Sequence, residues 1–205
     1  MLIIGAGGLA LQIIDDLEAQ LSDGFIFWSG IKTNKKIISD QYEILHDDES
    51  VIRLFKTDSR FILSVGNPAS RELLFKKFVA MGGEPMSFSS RDAKVSRYSQ
   101  IGAGSLILHG AIIEAEVAVG VGSLINAGAI ITHECQLGDY TEVAPGAAIG
   151  GHARLGQKCF IGTHAAILPN VVIGDEVIIG AGAVVTKNLV SNQTVVGMPA
   201  RTIKP

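Results

Sequence analysis

Cysteine and proline are scarce in this 205-residue sequence, and basic stripes and long apolar runs are missing. Two cysteines without CxxC spacing exclude a disulfide framework, and six prolines with a 47% hydrophobic fraction exclude a disordered chain. No run approaches the roughly 18 apolar residues of a spanning helix, and no basic region precedes the apolar start. We therefore expect a cytoplasmic protein without a membrane partner. Because the 17 basic residues are scattered and the net charge is -3, we expect no nucleic-acid partner either.

Glycine, by contrast, is abundant at 24 residues, and most of it belongs to a six-residue repeat. Residues 95–190 divide into sixteen hexads that each begin with Val, Ile or Leu and nearly always have a small fifth residue. The second position is glycine every eighteen residues, at Gly102, Gly120, Gly138, Gly156 and Gly174, where we expect the backbone to turn. Three hexads therefore form one coil of a three-sided parallel β-helix. Cys135 and Cys159 occupy fifth positions and are expected to be small core residues.

The first ninety residues follow another pattern, in which short apolar strands alternate with amphipathic helices. The predicted elements are strands at residues 2–4, 25–28 and 61–65 and helices at residues 9–21 and 68–81. This alternation indicates an α/β domain with a small Rossmann-like parallel sheet over residues 1–90. The β-helix, with a short carboxyl-terminal tail, then occupies residues 91–205.

The eighteen-residue period also predicts which side chains meet on one corner of the coil. Residues one coil apart are about 4.8 Å apart, so His133 lies between Ala115 and Gly151, which have almost no side chain. A histidine with space beside it and the adjacent carboxylate of Glu134 can act as an oriented general base. The Gly151 amide can face an oxyanion. His152 lies one coil from Glu134, and an exposed ion pair is the alternative interpretation of these residues.

The remaining histidines support no metal site in the sequence. We expect His46 to be solvated, His109 to be exposed or at a subunit contact, and His164 to line a groove or be exposed. The spacing of the histidines shows no close pair that could converge on zinc, which disfavours a trimeric zinc carbonic anhydrase.

Four motifs together resemble the bacterial sugar O-acyltransferase family, which includes sialic acid O-acetyltransferases and nucleotide-4-aminosugar N-acetyltransferases. They are Leu2-Ile3-Ile4-Gly5-Ala6-Gly7-Gly8, Val65-Gly66-Asn67-Pro68-Ala69-Ser70-Arg71, Thr132-His133-Glu134 and Val196-Gly197-Met198-Pro199-Ala200-Arg201. The resemblance implies a left-handed β-helix and a homotrimer that binds acetyl-CoA between neighbouring β-helices. It also implies acetylation of a nucleotide-linked aminosugar, or of a sialic acid hydroxyl, for surface glycan synthesis.

The resemblance further assigns roles to individual residues. His133 is the implied general base, Glu134 orients it, Asn126 positions the site and the Gly151 amide stabilises the oxyanion. The implied substrate-binding residues are Gly5, Gly7, Gly8, Asn67, Ser70, Arg71 and Glu142. The implied acetyl-CoA-binding residues are Gly151, Gly162, Thr163, His164, Gly180, Ala181 and Lys187, and no metal is expected.

Three positions depart from the family pattern. Leu9 stands where members commonly have a histidine after the glycine turn, Trp28 begins a stretch where uridine-binding relatives have acidic residues, and Glu142 stands where a histidine is frequent. The nucleotide and the acceptor therefore stay open. An NAD enzyme is disfavoured because no acidic residue ends the second strand, and a non-catalytic trimeric scaffold remains the alternative from another class.

Overall fold

The structure is a computed structural model that describes residues 1–21, 24–31, 37–38 and 41–204. The chain divides into two compact units, Met1–Met86 and Ser87–Pro205. None of the helices in the described part of the chain has the length and apolar character that a membrane span requires.

The first unit is a six-stranded sheet with helices in its connections, as the alternating pattern predicts. Its elements are β1 Leu2–Ile4, α1 Gly8–Gln20, β2 Ile26–Trp28, β3 Ile37–Ile38, β4 Tyr42–Leu45, α2 Asp48–Phe55, β5 Arg60–Leu63, α3 Pro68–Ala80 and β6 Glu84–Pro85. The strand order is β3-β4-β2-β1-β5-β6, and every pair is parallel except β3 with β4. The predicted α/β fold is therefore confirmed.

Four elements of the first unit, β3, β4, α2 and β6, escaped the sequence pattern. The strands β4 and β6 are short, and Ile44 is the buried residue of β4, so neither gives a long apolar run. The helix α2 begins at a cap in which Asp47 accepts a hydrogen bond from the Ser50 amide, and acidic residues follow in its first turn. This helix is only eight residues long, a little over two turns, so a helical period has little length in which to show.

The second unit is a parallel β-helix built from two-residue strands. Its strands are β7 Phe88–Ser89, β8 Lys94–Val95, β9 Gln100–Ile101, β10 Leu106–Ile107, β11 Ile112–Ile113, β12 Ala118–Val119, β13 Leu124–Ile125, β14 Ile130–Ile131, β15 Gln136–Leu137, β16 Glu142–Val143, β17 Ala148–Ile149, β18 Arg154–Leu155, β19 Phe160–Ile161, β20 Ala166–Ile167, β21 Val172–Ile173, β22 Ile178–Ile179, β23 Val184–Val185, β24 Thr194–Val196 and β25 Arg201–Lys204. Each of the strands β8 to β20 pairs with the strand eighteen residues further on, as Ile131 does with Ile149. The predicted coil of three hexads is therefore confirmed.

The strands form three sheets, which we call the first, second and third sheets. Their orders are β25-β24-β22-β19-β16-β13-β10-β7, β23-β20-β17-β14-β11-β8 and β21-β18-β15-β12-β9. The first corner, which joins the first sheet to the second, contains residues 108–110, 126–128, 144–146, 162–164 and 180–182. The second corner, which joins the second sheet to the third, contains residues 114–116, 132–134, 150–152, 168–170 and 186–188.

The repeat begins before residue 90, and its last coil is shorter than the eighteen residues that the sequence pattern indicates. Strand β7 pairs with β10, so Phe88–Ser89 already belongs to the first coil and precedes the boundary expected after residue 90. At the other end Leu189 bridges to Ile173, sixteen residues before it. The last coil is two residues shorter, and this places Leu189 level with an inward aliphatic residue. That register explains why Leu189 is the one large residue at a nominal fifth position.

The interior of the β-helix is a column of aliphatic and small side chains. Both Cys135 and Cys159 are fully buried in it, as their fifth positions predict. Their thiols contact the carbonyl oxygens of Gly150 and Gly174 at 3.1 Å each. Burial raises the pKa of the Cys135 thiol and raises the pKa of the Cys159 thiol to about 11, so neither is a ready nucleophile.

The turns of the coil lie at the fourth position of each hexad, not at the second. From Gly104 to Gly182 every fourth position has positive φ, including the non-glycine residues Glu134 and His152. The second-position glycines have ordinary φ values and are needed for another reason. A Cβ on Gly138 would lie 2.5 Å from the backbone nitrogen of Gln157 in the next coil. The expectation that these glycines make the turns was wrong, because close stacking of coils requires them instead.

We predict that Gly138→Ala destabilises the β-helix by about 3 kcal/mol, because backbone atoms of the next coil cannot move away from the new methyl group. Gly110→Asn is the matched control. Gly110 has φ of +67° and its nearest facing atom is 3.7 Å from a Cβ, so asparagine should cost about 1 kcal/mol or less. Thermal and urea unfolding measure both variants. Equal stability of the two variants would contradict the stacking role.

Candidate active site

Three polar side chains converge on the second corner from two successive coils. The Nδ1 atom of His133 lies 3.0 Å from Oε2 of Glu134, and Nε2 of His152 lies 3.3 Å from the same oxygen. The two imidazole rings meet edge to face with centroids 5.1 Å apart. All three side chains are about half exposed. Although the sequence shows no closely spaced pair of histidines, a spacing of nineteen residues places His152 on the next coil, one coil from Glu134 as the stacking predicts.

The orientation of His133 follows from its hydrogen bond. An ionised carboxylate only accepts, so Nδ1 donates its proton to Glu134 and Nε2 keeps its lone pair. A Cβ placed on Gly151 would lie 2.8 Å from Nε2 and 2.7 Å from Cε1 of His133. The imidazole of His133 therefore packs over the buried Gly151 and fills the space that a side chain there would take. This arrangement is that of a general base held by a carboxylate.

The backbone of His133 is held by a residue that the sequence analysis missed. Its amide donates to Oε2 of Glu114 at 2.9 Å, one coil earlier. Glu114 stands at a second position where most hexads have glycine or another small residue. An acidic residue there was a signal in the sequence, but only the structure shows that its carboxylate reaches the next corner.

Gly151 is buried at the third position of its hexad. Some third-position amides of other hexads are capped by carboxylates: Val121 donates to Asp139 at 2.8 Å and Gln157 donates to Asp175 at 2.9 Å. Within the described ranges no acceptor lies against the amide of Gly151. A free N–H next to a basic nitrogen is what an oxyanion of acyl transfer requires.

The first unit contains a separate cavity of ≈ 530 Å³ at the carboxyl ends of its strands. Among its lining residues are the predicted Gly5, Gly7, Gly8 and Ser70, together with Trp28. Gly5 has φ of +108°, and a Cβ on it would lie 2.5 Å from the Ser64 carbonyl oxygen. Gly7 and Gly8 face open space. In the glycine turn, Gly5 therefore allows close contact with the backbone of Ser64, and Gly7 and Gly8 keep the cavity wall free of side chains.

Two other predicted substrate residues of the first unit lie outside this lining. Asn67 caps α3, where its Oδ1 accepts from the Ser70 amide at 3.0 Å. Arg71 is fully buried, and its Nη1 donates to the carbonyl oxygens of Leu63 and Val65. Both side chains hydrogen-bond to backbone atoms of the chain next to the cavity. We therefore assign them a structural role beside the cavity.

Two buried polar atoms near this cavity have no hydrogen-bond partner among the described residues. The indole Nε1 of Trp28 is buried and has no hydrogen-bond partner among the described residues. His46, expected to be solvated, is instead partly buried: its Nδ1 lies 3.1 Å from the Ser29 carbonyl oxygen, while Nε2 is also buried and unpartnered. The expectation for His46 was wrong because β4 carries it to the end of β2.

Comparison with known proteins agrees with both units. Residues 1–78 match the PglD N-terminal domain family, and residues 152–187 match the bacterial transferase hexapeptide (six repeats) family. No curated protein is matched by the sequence. PerB from Caulobacter crescentus, solved with CoA and GDP-perosamine, is 28% identical with a TM-score of 0.90 over 99% of this chain and 96% of its own.

Two further solved structures share this architecture. The acetyltransferase domain of PglB from Neisseria gonorrhoeae is 25% identical with a TM-score of 0.88, and WeeI from Acinetobacter baumannii is 27% identical with a TM-score of 0.87. Each match covers 98% of both chains. The two family matches and these similar structures support the family of hexapeptide-repeat sugar acyltransferases. The second unit is accordingly the left-handed parallel β-helix of that family.

In this acyltransferase the other predicted site residues lie away from His133. Asn126 is 7% exposed on the first corner, at the opposite end of β14 from His133. Glu142 is 8% exposed on β16, where it pairs in register with Leu124 and Phe160. The structure does not bring either side chain into the hydrogen-bonded group around Glu134.

The residues assigned to acetyl-CoA form two sets in the acyltransferase. The first-corner set lies in two successive coils and consists of Gly162, Thr163, His164, Gly180 and Ala181. The imidazole of His164 covers Gly146, whose Cβ would lie 2.5 Å from its Nδ1. Lys187 is exposed on the second corner, two coils beyond Gly151. One exposed corner therefore holds most of the predicted cofactor residues.

We predict that Gly151→Ala lowers the acyl-transfer rate at least about 100-fold, because its methyl group must push the His133 ring out of place. Stability should change by less than about 1 kcal/mol, since the ring is half exposed and can swing outward. Gly128→Ala is the control, because its Cβ meets nothing but its φ of +65° strains the backbone. Gly128→Ala should lower the stability more than Gly151→Ala does, and it should lower the acyl-transfer rate less. The reverse ranking would contradict the prediction.

Proposed function

We propose that the protein transfers an acetyl group from acetyl-CoA to the amino group of a nucleotide-linked aminosugar, with His133 as the general base. The observation that carries this proposal is the imidazole of His133, which is held by Glu134 and packs over Gly151. Support comes from PerB, which was solved with CoA and GDP-perosamine, and from the PglB domain, which was solved with acetyl coenzyme A. Perosamine N-acetyltransferase was also solved with one histidine replaced by asparagine or alanine.

The reaction follows from a proton acceptor, Nε2 of His133, and a hydrogen-bond donor, the amide of Gly151, in one site. The acceptor amine attacks the thioester carbonyl, and Nε2 of His133 takes a proton from the nitrogen as the new N–C bond forms. Glu134 stabilises the imidazolium, and the Gly151 amide donates to the oxyanion. The C–S bond then breaks, and the departing CoA sulfur receives the proton from His133. No covalent enzyme intermediate is needed, in keeping with the burial of both cysteines.

The cavity of the first unit is suited to the nucleotide part of the substrate. The helix α1 begins at the glycine turn with no acidic residue in its first turn, so its free amides and positive dipole end favour phosphate. Apolar side chains such as Leu9 and Leu74 line the walls, and among the described residues no charged side chain does.

The proposal includes a homotrimer that binds acetyl-CoA along the first corner in a surface glycan pathway. Several large apolar side chains on the outside of the β-helix support contact with another subunit. Leu168, Val172 and Ile178 are 43–46% exposed. Such side chains are suited to burial between copies of the chain.

We predict that His133→Ala lowers kcat by about 10²–10⁴-fold while leaving the affinity for acetyl-CoA unchanged, because only the proton acceptor is removed. His109→Ala, an exposed histidine of the β-helix, is the control and should keep normal turnover. A thiol-release assay over nucleotide-aminosugars and sialic acids measures both. Undiminished turnover of His133→Ala contradicts the base role. Turnover with sialic acids alone contradicts the amine as acceptor and favours O-acetylation.

We predict that Gly8→Val raises the KM for the nucleotide-sugar at least ten-fold, because the side chain enters open space in the cavity wall. The KM for acetyl-CoA and the melting temperature should hardly change. Gln12→Val places the same residue on an exposed position of the same helix and should leave both KM values as they are. An unchanged KM for the sugar in Gly8→Val would remove the nucleotide from this cavity.

A further inference from the structure

The trio of His133, Glu134 and His152 has the composition of a metal-binding site. One ligand atom from each residue lies within 4.8 Å of those of the other two. Two imidazoles and one carboxylate are the ligands of catalytic zinc sites that keep an open position. Imidazole nitrogen also favours zinc, copper and nickel over magnesium and calcium.

The spacing of the ligand atoms is already close to that of a zinc complex. Zinc binds nitrogen and oxygen at about 2.0–2.1 Å, so tetrahedral geometry places neighbouring ligand atoms roughly 3.3 Å apart. The Glu134 oxygen is 3.0 Å from Nδ1 of His133 and 3.3 Å from Nε2 of His152. A zinc ion could therefore replace the imidazole protons that point at the Glu134 oxygen, with small changes in side-chain torsions. All three side chains are half exposed, which leaves a path for entry.

The backbone under these ligands is held by the coil. Glu134 and His152 have φ of +59° and +60° at equivalent fourth positions of successive coils. The His152 amide donates to the carbonyl oxygen of His133 at 3.1 Å, which ties the two coils together at the site. In the part of the chain that the structure describes, no lysine or arginine pairs with Glu134. Its negative charge is therefore available to a cation.

We propose that His133, Glu134 and His152 bind one Zn²⁺ ion per chain and that this ion inhibits acetyl transfer. Coordination at Nδ1 of His133 forces the remaining imidazole proton onto Nε2, the nitrogen that must accept the proton of the amine. The carboxylate of Glu134 is drawn away from the imidazole in the same step. Zinc acts here as a competitor of the base and has no part in the reaction. The inhibition rests on the proposed function, whereas the binding does not.

Binding is tested by calorimetric titration of chelator-treated protein with ZnCl₂, and by the visible absorption of bound Co²⁺. The wild type should bind one ion per chain, and His152→Asn should bind at least ten-fold more weakly because one ligand is lost. Asparagine tolerates the positive φ of this position. His164→Asn is the matched control for binding, since His164 is an exposed histidine with φ of +55° at the same hexad position. It should bind zinc like the wild type.

Inhibition is tested separately in the thiol-release assay. Zinc should lower turnover of the wild type, a chelator should restore it, and His152→Asn should resist zinc while remaining active without it. Absence of zinc binding by the wild type, or equal binding by His152→Asn, overturns the site. Binding without loss of turnover overturns the inhibitory role alone. If no acceptor is acetylated at all, the proposed function fails, and the titration still decides the metal site.

Discussion

Stacking of each hexad on the hexad eighteen residues further along is the interaction on which the β-helix depends. The backbone hydrogen bonds between coils satisfy the polar groups of strands that are only two residues long, and the inward aliphatic column supplies the burial. Hydrogen bonding and burial together bring consecutive coils close to each other. A side chain at some second positions of the hexads would therefore meet backbone atoms of the next coil. The glycines at those second positions are therefore a consequence of stacking distance.

The candidate active site uses the corners that this stacking leaves exposed. At the fourth position of each hexad the backbone takes a left-handed conformation, and Glu134 and His152 occupy two such positions in successive coils. At the third position the amide points away from the coil and must find an acceptor elsewhere. Carboxylates from the next or preceding coil supply it for Val121, His133 and Gln157, whereas the amide of Gly151 has no acceptor among the described residues. The candidate site thus combines an uncapped amide with a glycine that leaves room for the imidazole of His133.

The first unit is stabilised differently, and its ligand cavity has a different origin. Its core contains aromatic rings such as Phe61 and Phe78, packed against the sheet and helices. A buried arginine, Arg71, holds the carboxyl end of β5 by donating to two carbonyl oxygens. These bonds fix the chain that follows β5, next to the glycine turn. Trp28 lines the cavity there, and its indole N–H is buried without a partner among the described residues.

The amino-acid sequence by itself determined the coil, its core and the neighbours of His133, because parallel pairing simply adds eighteen to a residue number. It also showed the α/β character of the first unit, although β3, β4, α2 and β6 are too short to stand out. Only the tertiary structure decided that Glu134 is shared by two imidazoles, that Glu114 holds the His133 backbone and that Arg71 is buried. Those contacts depend on the direction in which side chains leave left-handed corners and on approaches between distant segments, such as Gly5 and Ser64. Local spacing contains neither kind of information.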